Sequence, residues 1–313
     1  MIRILLCISF MFCFVGVQAQ KNEPPYILVL GVAQDGGYPH LGCTRACCTM
    51  AWKDESMRRY VVSLALVDPV SKNWWLFEAT PDIKYQLHYF QTLTKGLYNF
   101  LPDGIFITHA HIGHYTGLMD LGKEVMSTHD VPVYVLPKLK KYLETNGPWS
   151  QLVNLRNIQL VEMEECGFDE REDAIPLGDG IRVLAYRVPH RDEYSETAGF
   201  RIETKQKKYL FIPDINKWDK WDANIIDVVK SVDIALLDAT FFDSTDLPGR
   251  NLASVPHPLV KETMELFKNE SKETKSKIHL IHFNHTNPIL WDEKKKKFVE
   301  QAGLNFAKQG EQL

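Results

Sequence analysis

The chain has 313 residues, of which 45% are hydrophobic and 24% are charged, and these ordinary fractions exclude a disordered, collagen-like or coiled-coil protein. Its formal net charge of −4 excludes nucleic-acid binding through bulk positive charge. Six cysteines are too few for a disulfide scaffold, and a chain of this length buries a sufficient core without one.

The first 19 residues predict a signal peptide. Arg3 precedes an apolar run from Ile4 to Val15, and Val17-Gln18-Ala19 forms a small-x-small cleavage site ahead of Gln20. No later stretch approaches the roughly 18 apolar residues of a membrane helix. We therefore expect an exported protein, periplasmic or secreted, whose mature part is one domain over residues 20–313 with no membrane segment.

After this segment, apolar runs of β type alternate with amphipathic runs. The predicted strands are Tyr26–Val32, Tyr60–Val67, Trp74–Glu78, Gly104–Thr108, Val131–Leu136, Ile158–Met163, Ile181–Val188, Ala198–Glu203, Lys208–Pro213, Asp233–Asp238 and Ile278–Phe283. The predicted helices are Ile83–Leu93, Gly117–Met126, Pro137–Thr145, Lys217–Val229, Pro258–Asn269 and Trp291–Lys308. Many strands with fewer helices predict one layered α/β or α+β domain.

Three cysteines, Cys43, Cys47 and Cys48, follow the first predicted strand. In an exported protein the first expectation is a disulfide. A bond between the adjacent Cys47 and Cys48 would be severely strained, however, and three neighbouring thiols leave one unpaired.

Three histidines lie within six residues, at the end of the strand Gly104–Thr108. His109 and His111 project to the same side of an extended chain, and His114 returns to that side once a helix begins. Three converging imidazoles suit a borderline cation such as zinc. Unrelated core or surface histidines are the alternative, but this spacing favours a metal site.

Further candidate ligands lie at later strand ends. His190 follows the strand Ile181–Val188, Asp214 follows Lys208–Pro213, and His282 lies near the end of the last strand. Asp214 could also cap a helix from Lys217. Core packing alone rarely produces this order of histidines and one aspartate at strand ends, so a metal centre is the favoured interpretation.

With these residues in place, the chain resembles the metallo-β-lactamase-fold hydrolases, whose fold is an αββα sandwich. Within that superfamily it is most similar to the pyrroloquinoline-quinone biosynthesis B proteins and the phosphonate-pathway cyclic phosphodiesterases. Three strings carry the similarity: Gly31-Val32-Ala33-Gln34-Asp35-Gly36-Gly37-Tyr38-Pro39 with Cys43 following, Glu78-Ala79-Thr80-Pro81-Asp82-Ile83, and His282-Phe283-Asn284-His285-Thr286-Asn287-Pro288.

The resemblance implies one or two zinc ions in the active site, with manganese or iron as alternatives. The implied ligands are His109, His111 and His190 for the first metal, and His114 and His282 for the second, with Asp214 bridging them. Gly113 stands where the family has an aspartate, so the second position is weaker, empty or completed from elsewhere. Asp192 and Glu193 are the nearest replacements in sequence.

The expected chemistry follows from the cation. Zinc lowers the pKa of bound water from about 15.7 to about 7 and so provides hydroxide at neutral pH. The predicted catalytic residues are Asp214, His114 and Asp192, with Glu193 as an alternative base. Three residues beside ligands could contact an anionic substrate or simply pack: Tyr115, Arg191 and Tyr194.

The resemblance also changes the interpretation of the cysteines. The phosphodiesterase relatives carry three clustered cysteines joined by a histidine, which corresponds here to His285. It implies a structural zinc held by Cys43, Cys47, Cys48 and His285, although the family's middle cysteine position is taken here by Arg45. A structural zinc is therefore favoured over a disulfide.

The leading functional hypothesis is a metal-dependent hydrolase acting on an ester, phosphodiester or lactam bond of a small anionic molecule. The alternatives are an oxidative metalloenzyme of cofactor biosynthesis, because histidine-carboxylate sites also hold iron, and a non-catalytic metal or ligand binder. No nucleic-acid partner is expected, and the oligomeric state stays open, a homodimer included. The remaining histidines are interpreted as packing or surface residues: His40, His88, His129, His257 and His279.

Overall fold

The computed structural model describes residues 23–167, 173–247, 249 and 255–313, so the predicted signal peptide lies outside the described residues. The strands in these residues are β1 Tyr26–Gly31, β2 Ser63–Asp68, β3 Asn73–Phe77, β4 Gly104–Phe106, β5 Val131–Val135, β6 Ile158–Glu162, β7 Ile175–Gly178, β8 Ile181–Val188, β9 Thr197–Glu203, β10 Lys208–Ile212, β11 Ile234–Asp238, β12 Ile278–Ile281 and β13 Asn305–Phe306. The α-helices are α1 Ala46–Lys53, α2 Ile83–Leu93, α3 Ile112–Tyr115, α4 Pro137–Thr145, α5 Trp149–Asn154, α6 Ile225–Lys230, α7 Val260–Leu266, α8 Lys272–Ser276 and α9 Glu293–Gln301. None of these helices combines the length and the apolar character that a membrane span requires.

Two mixed sheets form the centre of the structure. The first has the strand order β1-β2-β3-β4-β5-β6, and the second has the order β13-β12-β11-β10-β9-β8-β7. In the first sheet, β1, β2 and β3 are antiparallel neighbours, and β3 to β6 run parallel. In the second, β7 to β10 are antiparallel neighbours, and β10 to β13 run parallel.

Both faces of the first sheet are buried at β1 to β4, which explains why these four strands are largely apolar. In β3, Trp75 and Phe77 belong to the core that includes the second sheet, whereas Trp74 and Leu76 belong to the core with helices α2 and α4. Residues of α6, α7 and α9 join the core of the second sheet. The layers therefore follow the predicted αββα order.

Several predicted elements differ from the structure. The predicted helix Gly117–Met126 is a short 3-10 helix over Thr116–Leu121, and the predicted helix from Lys217 begins only at Ile225, where the side chain of Asn224 caps α6. The predicted helix Trp291–Lys308 is shorter, because Gly303 at φ +91° leaves the helical conformation before β13. The elements that were not among the predicted ones are β7, β13, α1, α3, α5 and α8.

The parallel strands bring the candidate site residues to one edge of the sandwich. Strands β10, β11 and β12 are parallel neighbours, so their carboxyl ends lie side by side. Asp214, Asp238 and His282 lie at or just beyond those ends. In the first sheet, β4 leads directly to His109.

Candidate metal centre

Three imidazoles and one carboxylate meet at this edge. His109 Nε2 lies 2.8 Å from His111 Nδ1, and His190 Nε2 lies 3.3 Å from the same atom. Oδ2 of Asp214 is 3.4 Å from His109 Nε2 and 3.2 Å from His190 Nε2. One ligand atom from each of these four residues lies within 4.8 Å of the others, which is the separation expected of ligands around one cation.

A second group adjoins the first. His114 and His282 are fully buried, and their ring centroids are 5.4 Å apart. Each has an Nε2 atom that is buried without a hydrogen-bond partner, and His114 Nε2 lies 3.7 Å from Asp214 Oδ2. Asp214 therefore faces both groups. We call His109, His111, His114, His190, Asp214 and His282 the histidine cluster.

The outer nitrogens of the histidine cluster contact protein oxygens. His111 Nε2 lies 2.9 Å from the Glu193 carboxylate, and His109 Nδ1 lies 2.8 Å from Thr108 Oγ1. A carboxylate only accepts hydrogen bonds, so His111 carries its proton on Nε2 and directs the Nδ1 lone pair into the cluster. Such outer contacts orient metal-binding histidines.

Two more rings are oriented in the same way. Thr240 Oγ1 donates to Asp238 and accepts from His282 Nδ1, which leaves the lone pair of His282 Nε2 facing inward. His114 Nδ1 faces Oε1 of the buried Glu78 at 3.5 Å.

Burial and charge set the protonation states of these groups. Burial lowers the pKa of His109 well below its usual range and also lowers the pKa of His282. Burial alone would raise the pKa of Asp214, but the charges of His257 and His190 hold it well below its usual range. The imidazoles of His109 and His282 are therefore neutral and Asp214 is ionised, which are the forms of these groups that bind metal ions.

The site carries more buried negative charge than the protein balances with lysine or arginine. The acids of this site that are at most 2% exposed are Glu78, Asp214 and Asp238, and none of them pairs with a lysine or arginine among the residues that the structure describes. Buried carboxylates require a cation or a hydrogen-bonding partner. The donor set and the unpartnered inner atoms therefore fit one or two divalent metal ions, and zinc in particular.

Backbone strain marks the same place. Glu78 and His282 adopt φ values of +74° and +65°, and both side chains are fully buried. Left-handed backbone at residues other than glycine costs about 1–3 kcal/mol and persists where the surrounding structure holds it. His282 is itself a candidate ligand, and Glu78 is the carboxylate that faces the outer nitrogen of the candidate ligand His114. The strained backbone therefore positions both a ligand and a group that orients a ligand.

His257 belongs to the site, although the sequence suggested only a packing role. It is 4% exposed, and its Nδ1 atom lies 3.0 Å from Asp214 Oδ1 and 2.9 Å from Asp238 Oδ2. Burial alone would lower its pKa, but these two carboxylates raise the pKa of His257 to about 10. No spacing in the sequence could have found it, because it has no neighbouring ligand residue.

Asp192 lines a cavity with His190 but makes its own contacts outside the histidine cluster, and its catalytic role stays a prediction. Its carboxylate lies 3.3 Å from Arg187 and accepts a hydrogen bond from Thr197, because the loop after His190 turns this side chain towards β8 and β9. Glu193 is the acid of this loop that contacts a cluster histidine, His111. Asp214 also does not cap a helix.

The predicted substrate-contacting residues separate into two kinds. Tyr115 is 3% exposed and packs against Tyr142 and Trp149, so its ring is part of the protein interior. Arg191 and Tyr194 lie on the loop after His190, and Tyr194 is 62% exposed. The exposed pair is thus available at the surface beside His190.

The cysteines form a second candidate metal site. One atom from each of Cys43, Cys48 and His285 lies within 4.8 Å of the others, and we call these three residues the cysteine cluster. Cys47 is not one of these three residues, although its thiol contacts Cys43 and Cys48, so the predicted four-residue ligand set stays a prediction. Cys47 and Cys48 are successive residues of α1, and successive helical side chains point about 100° apart. All four described cysteines are free thiols, so the alternative of a disulfide is not present in the structure.

Comparisons with known proteins agree with this architecture. The family model described as Beta-lactamase superfamily domain matches residues 73–283. The coenzyme PQQ synthesis protein B of Methylorubrum populi is 23% identical, over 91% of this chain and 98% of its own length. The corresponding protein of Gluconobacter oxydans is 26% identical, over 91% of this chain and 96% of its own length.

Two solved structures share the fold. The Zn²⁺-bound PqqB of Methylobacterium extorquens superposes with a TM-score of 0.72 at 20% identity, covering 92% of this chain and 99% of that one. A diphosphatase of the PhnP family gives a TM-score of 0.65 at 20% identity, covering 93% and 97%. The chain therefore belongs to the β-lactamase superfamily, with the metallo-β-lactamase fold, and it is similar to PqqB and to PhnP-family proteins.

Proposed function

We propose that this chain is a metal-dependent hydrolase that cleaves an ester bond, and in particular a phosphodiester bond, of a small anionic molecule. The observation that carries the proposal is the histidine cluster itself, in which five buried or half-buried imidazoles surround one buried carboxylate. A structural core gains nothing from so many buried titratable groups, since each costs desolvation free energy.

The residues that would hold metal are His109, His111, His190 and Asp214 at one position, and His114 and His282 at the adjacent position. Zinc bound there would supply Lewis acidity and would lower the pKa of a water ligand to about 7. Two adjacent positions that share Asp214 suit a reaction in which both an attacking and a leaving oxygen develop charge.

The protein's own side chains supply orientation and charge. Glu193 and Glu78 orient His111 and His114 through their outer nitrogens. His257 holds Asp214 through Oδ1 while Oδ2 faces the imidazoles. These contacts fix the ligand rings before substrate arrives, which lowers the reorganisation needed during the reaction.

A small anionic substrate is supported by the surface beside the cluster. The side chain of Arg191 is 52% exposed and lies 3.7 Å from Glu193, the residue that contacts His111. Tyr194, three residues later in the same loop, is 62% exposed and packs one side of its ring against Tyr142. An arginine suits a phosphate group because its planar fork donates two parallel hydrogen bonds.

The names of similar proteins support phosphate chemistry over the other bonds. One solved relative is titled a diphosphatase of the PhnP family, and another is the short form of human tRNase Z, at a TM-score of 0.55 and 16% identity over 92% of this chain and 98% of that one. The curated relatives named coenzyme PQQ synthesis protein B favour a second candidate, an oxidative step in cofactor synthesis.

The test is hydrolysis by purified, zinc-loaded protein of bis(p-nitrophenyl) phosphate, p-nitrophenyl acetate and a chromogenic β-lactam. We expect cleavage of the phosphodiester, at least about 100-fold slower in His111→Ala and within about twofold of the wild type in His129→Ala, whose side chain is 75% exposed. Equal rates in wild type and His111→Ala would contradict the proposal. Oxygen uptake by the iron-loaded protein without any hydrolysis would favour the second candidate.

Export is a separate part of the proposal and rests on the sequence of residues 1–19. Expression of the full chain in a bacterial host should yield a periplasmic or secreted protein that begins at Gln20. N-terminal sequencing of the purified protein checks this, and a retained Arg3 would contradict it.

A further inference from the structure

We propose that Asp35, in the loop after β1, is the carboxylate ligand that completes the second metal position with His114 and His282. The inference deepens the proposed function, because it rests on a metal-binding histidine cluster. Its consequence is that the second position has a full ligand set of its own, supplied in part by a residue 78 positions before Gly113 in the sequence.

The three groups surround one point. One atom each from Asp35, His114 and His282 lies within 4.8 Å of the others, and Asp35 Oδ1 is 3.4 Å from His114 Nε2. Asp35 Oδ1 and the Nε2 atoms of both histidines are buried without a hydrogen-bond partner. A simple pair between Asp35 and His114 would leave His282 Nε2 unexplained, whereas a cation at this point uses all three atoms.

Backbone hydrogen bonds hold Asp35 beside His282. The amide of Phe283 donates to Val32 at 2.9 Å, and the amide of Gln34 donates back to Phe283 at 2.9 Å. These bonds flank His282 on one segment and Asp35 on the other. Main-chain pairing therefore places the backbone that carries the Asp35 carboxylate beside His282.

Gly113 supplies the space that Asp35 occupies. A Cβ atom at position 113 would lie 2.1 Å from Asp35 Oδ1 and 2.6 Å from Asp35 Cα, which is closer than nonbonded atoms approach. Asp35 and any side chain at position 113 thus exclude each other. The glycine that seemed to weaken the second position is the residue that admits a carboxylate from a different segment.

The contacts of Asp35 point the same way. Among the described residues, no lysine or arginine pairs with Asp35, and its contact is with His114. Glu78 lies on the other side of that ring, 3.5 Å from Nδ1. Glu78 faces the outer nitrogen of His114 and would orient this ring as a metal ligand. Asp35 faces the inner nitrogen and would bind the same metal ion.

The experiment measures metal equivalents per chain by elemental analysis of zinc-loaded, dialysed protein. Asp35→Asn keeps the shape of the side chain and removes its charge, so we expect one zinc equivalent fewer than in the wild type. Asp179→Asn, with a side chain that is 90% exposed, is the matched control and should keep the wild-type content. Gly113→Ala should also lose about one equivalent, because the added methyl group displaces Asp35.

The outcomes separate this proposal from the proposed function. Wild-type metal content in Asp35→Asn, together with a loss in His111→Ala, would overturn the Asp35 assignment and leave the hydrolase proposal standing. Unchanged content in both variants would overturn the metal centre itself. Asp35→Ser, which has a small polar side chain, replaces Asp35→Asn if circular dichroism shows that the asparagine variant is unfolded.

Discussion

The histidine cluster and the cysteine cluster are both candidate metal sites, but the protein builds them differently. In the histidine cluster, His114, His282 and Asp214 are 0–2% exposed, and the outer ring nitrogens contact oxygens. In the cysteine cluster, Cys43 and His285 are only partly buried, and the ligands come from a loop, a short helix and the segment after β12.

The two constructions suit different roles. A cluster with oriented rings inside a sheet edge has its geometry set before a substrate arrives, which suits chemistry. A metal ion in a cluster that joins two surface segments would hold these segments together, and its binding free energy would add to the free energy of unfolding. We therefore expect substitutions in the first to reduce catalysis and substitutions in the second to reduce thermal stability.

The largest expected effect is on catalysis. Asp214→Asn removes the charge that both metal positions share, so kcat/KM for the phosphodiester should fall about a thousand-fold, equivalent to about 4 kcal/mol of transition-state stabilisation. Steady-state kinetics with His129→Ala as the control measures it. A fall of less than tenfold would break the assignment of this cluster to catalysis.

The next effect is on stability. Cys48→Ser should lower the melting temperature of the zinc-loaded protein by about 10 °C. Zinc at about a thousand times its Kd stabilises the folded protein by about 4 kcal/mol. Each kcal/mol of lost stability lowers the melting temperature by about 2–4 °C. The rate per folded molecule should change less than about threefold. Scanning calorimetry measures the first quantity.

Cys47→Ser is the matched variant for that prediction, because Cys47 is adjacent in sequence but outside the cysteine cluster. It should lower the melting temperature by less than half as much as Cys48→Ser. Equal losses in the two variants would place Cys47 in the ligand set and contradict the three-residue cluster.

A smaller effect is expected behind the ligands. Glu193→Gln weakens the orientation of His111 and should reduce metal affinity about 10–100-fold. Asp192→Asn, whose carboxylate pairs with Arg187, should change it less than threefold. Competition with a chromogenic chelator measures both affinities, and a larger effect at Asp192 would reverse the assignment of the two acids.

The smallest effect concerns pH and the metal-free protein. Burial, with the charges of His40 and Arg45, lowers the pKa of His285 to about 4 from its usual 6.5. As pH falls from 6.5 to 4, the unfolded chain takes up a proton at His285 and the folded chain does not, so the free energy of unfolding decreases.

His285→Gln should remove that component of the pH dependence. Urea unfolding of the metal-free proteins gives the free energy of unfolding of the wild type and of the variant at pH 7 and at pH 5. Between these pH values the variant should lose less of this free energy than the wild type. Identical losses would show that His285 is not held neutral by its surroundings.

The sequence predicted the parts of the molecule that depend on local pattern. Helices α2 and α4 have the predicted bounds, because their apolar spacing is regular and Pro137 begins the second of them. The close spacing of His109, His111 and His114 was enough to predict that these side chains lie together. The two-sheet architecture also follows from the predicted strands together with the resemblance.

The remaining parts depend on contacts between distant segments. Backbone hydrogen bonds between segments about 250 residues apart place Asp35 beside His282. No local spacing in the sequence predicts such hydrogen bonds. His257 contacts Asp214 from a segment with no ligand spacing, whereas Glu193, which the sequence suggested as an alternative base, contacts the outer nitrogen of His111. Which of the thiols in α1 lies nearer His285 depends on side-chain directions in that helix, which three neighbouring cysteines do not specify.

The central claim is that the histidine cluster holds metal ions, and anomalous X-ray diffraction at the zinc edge tests it most directly. Crystals of the zinc-loaded protein should give anomalous peaks within the histidine cluster, one of them beside Asp35, and a separate peak in the cysteine cluster. A peak in the cysteine cluster with none in the histidine cluster would contradict the account.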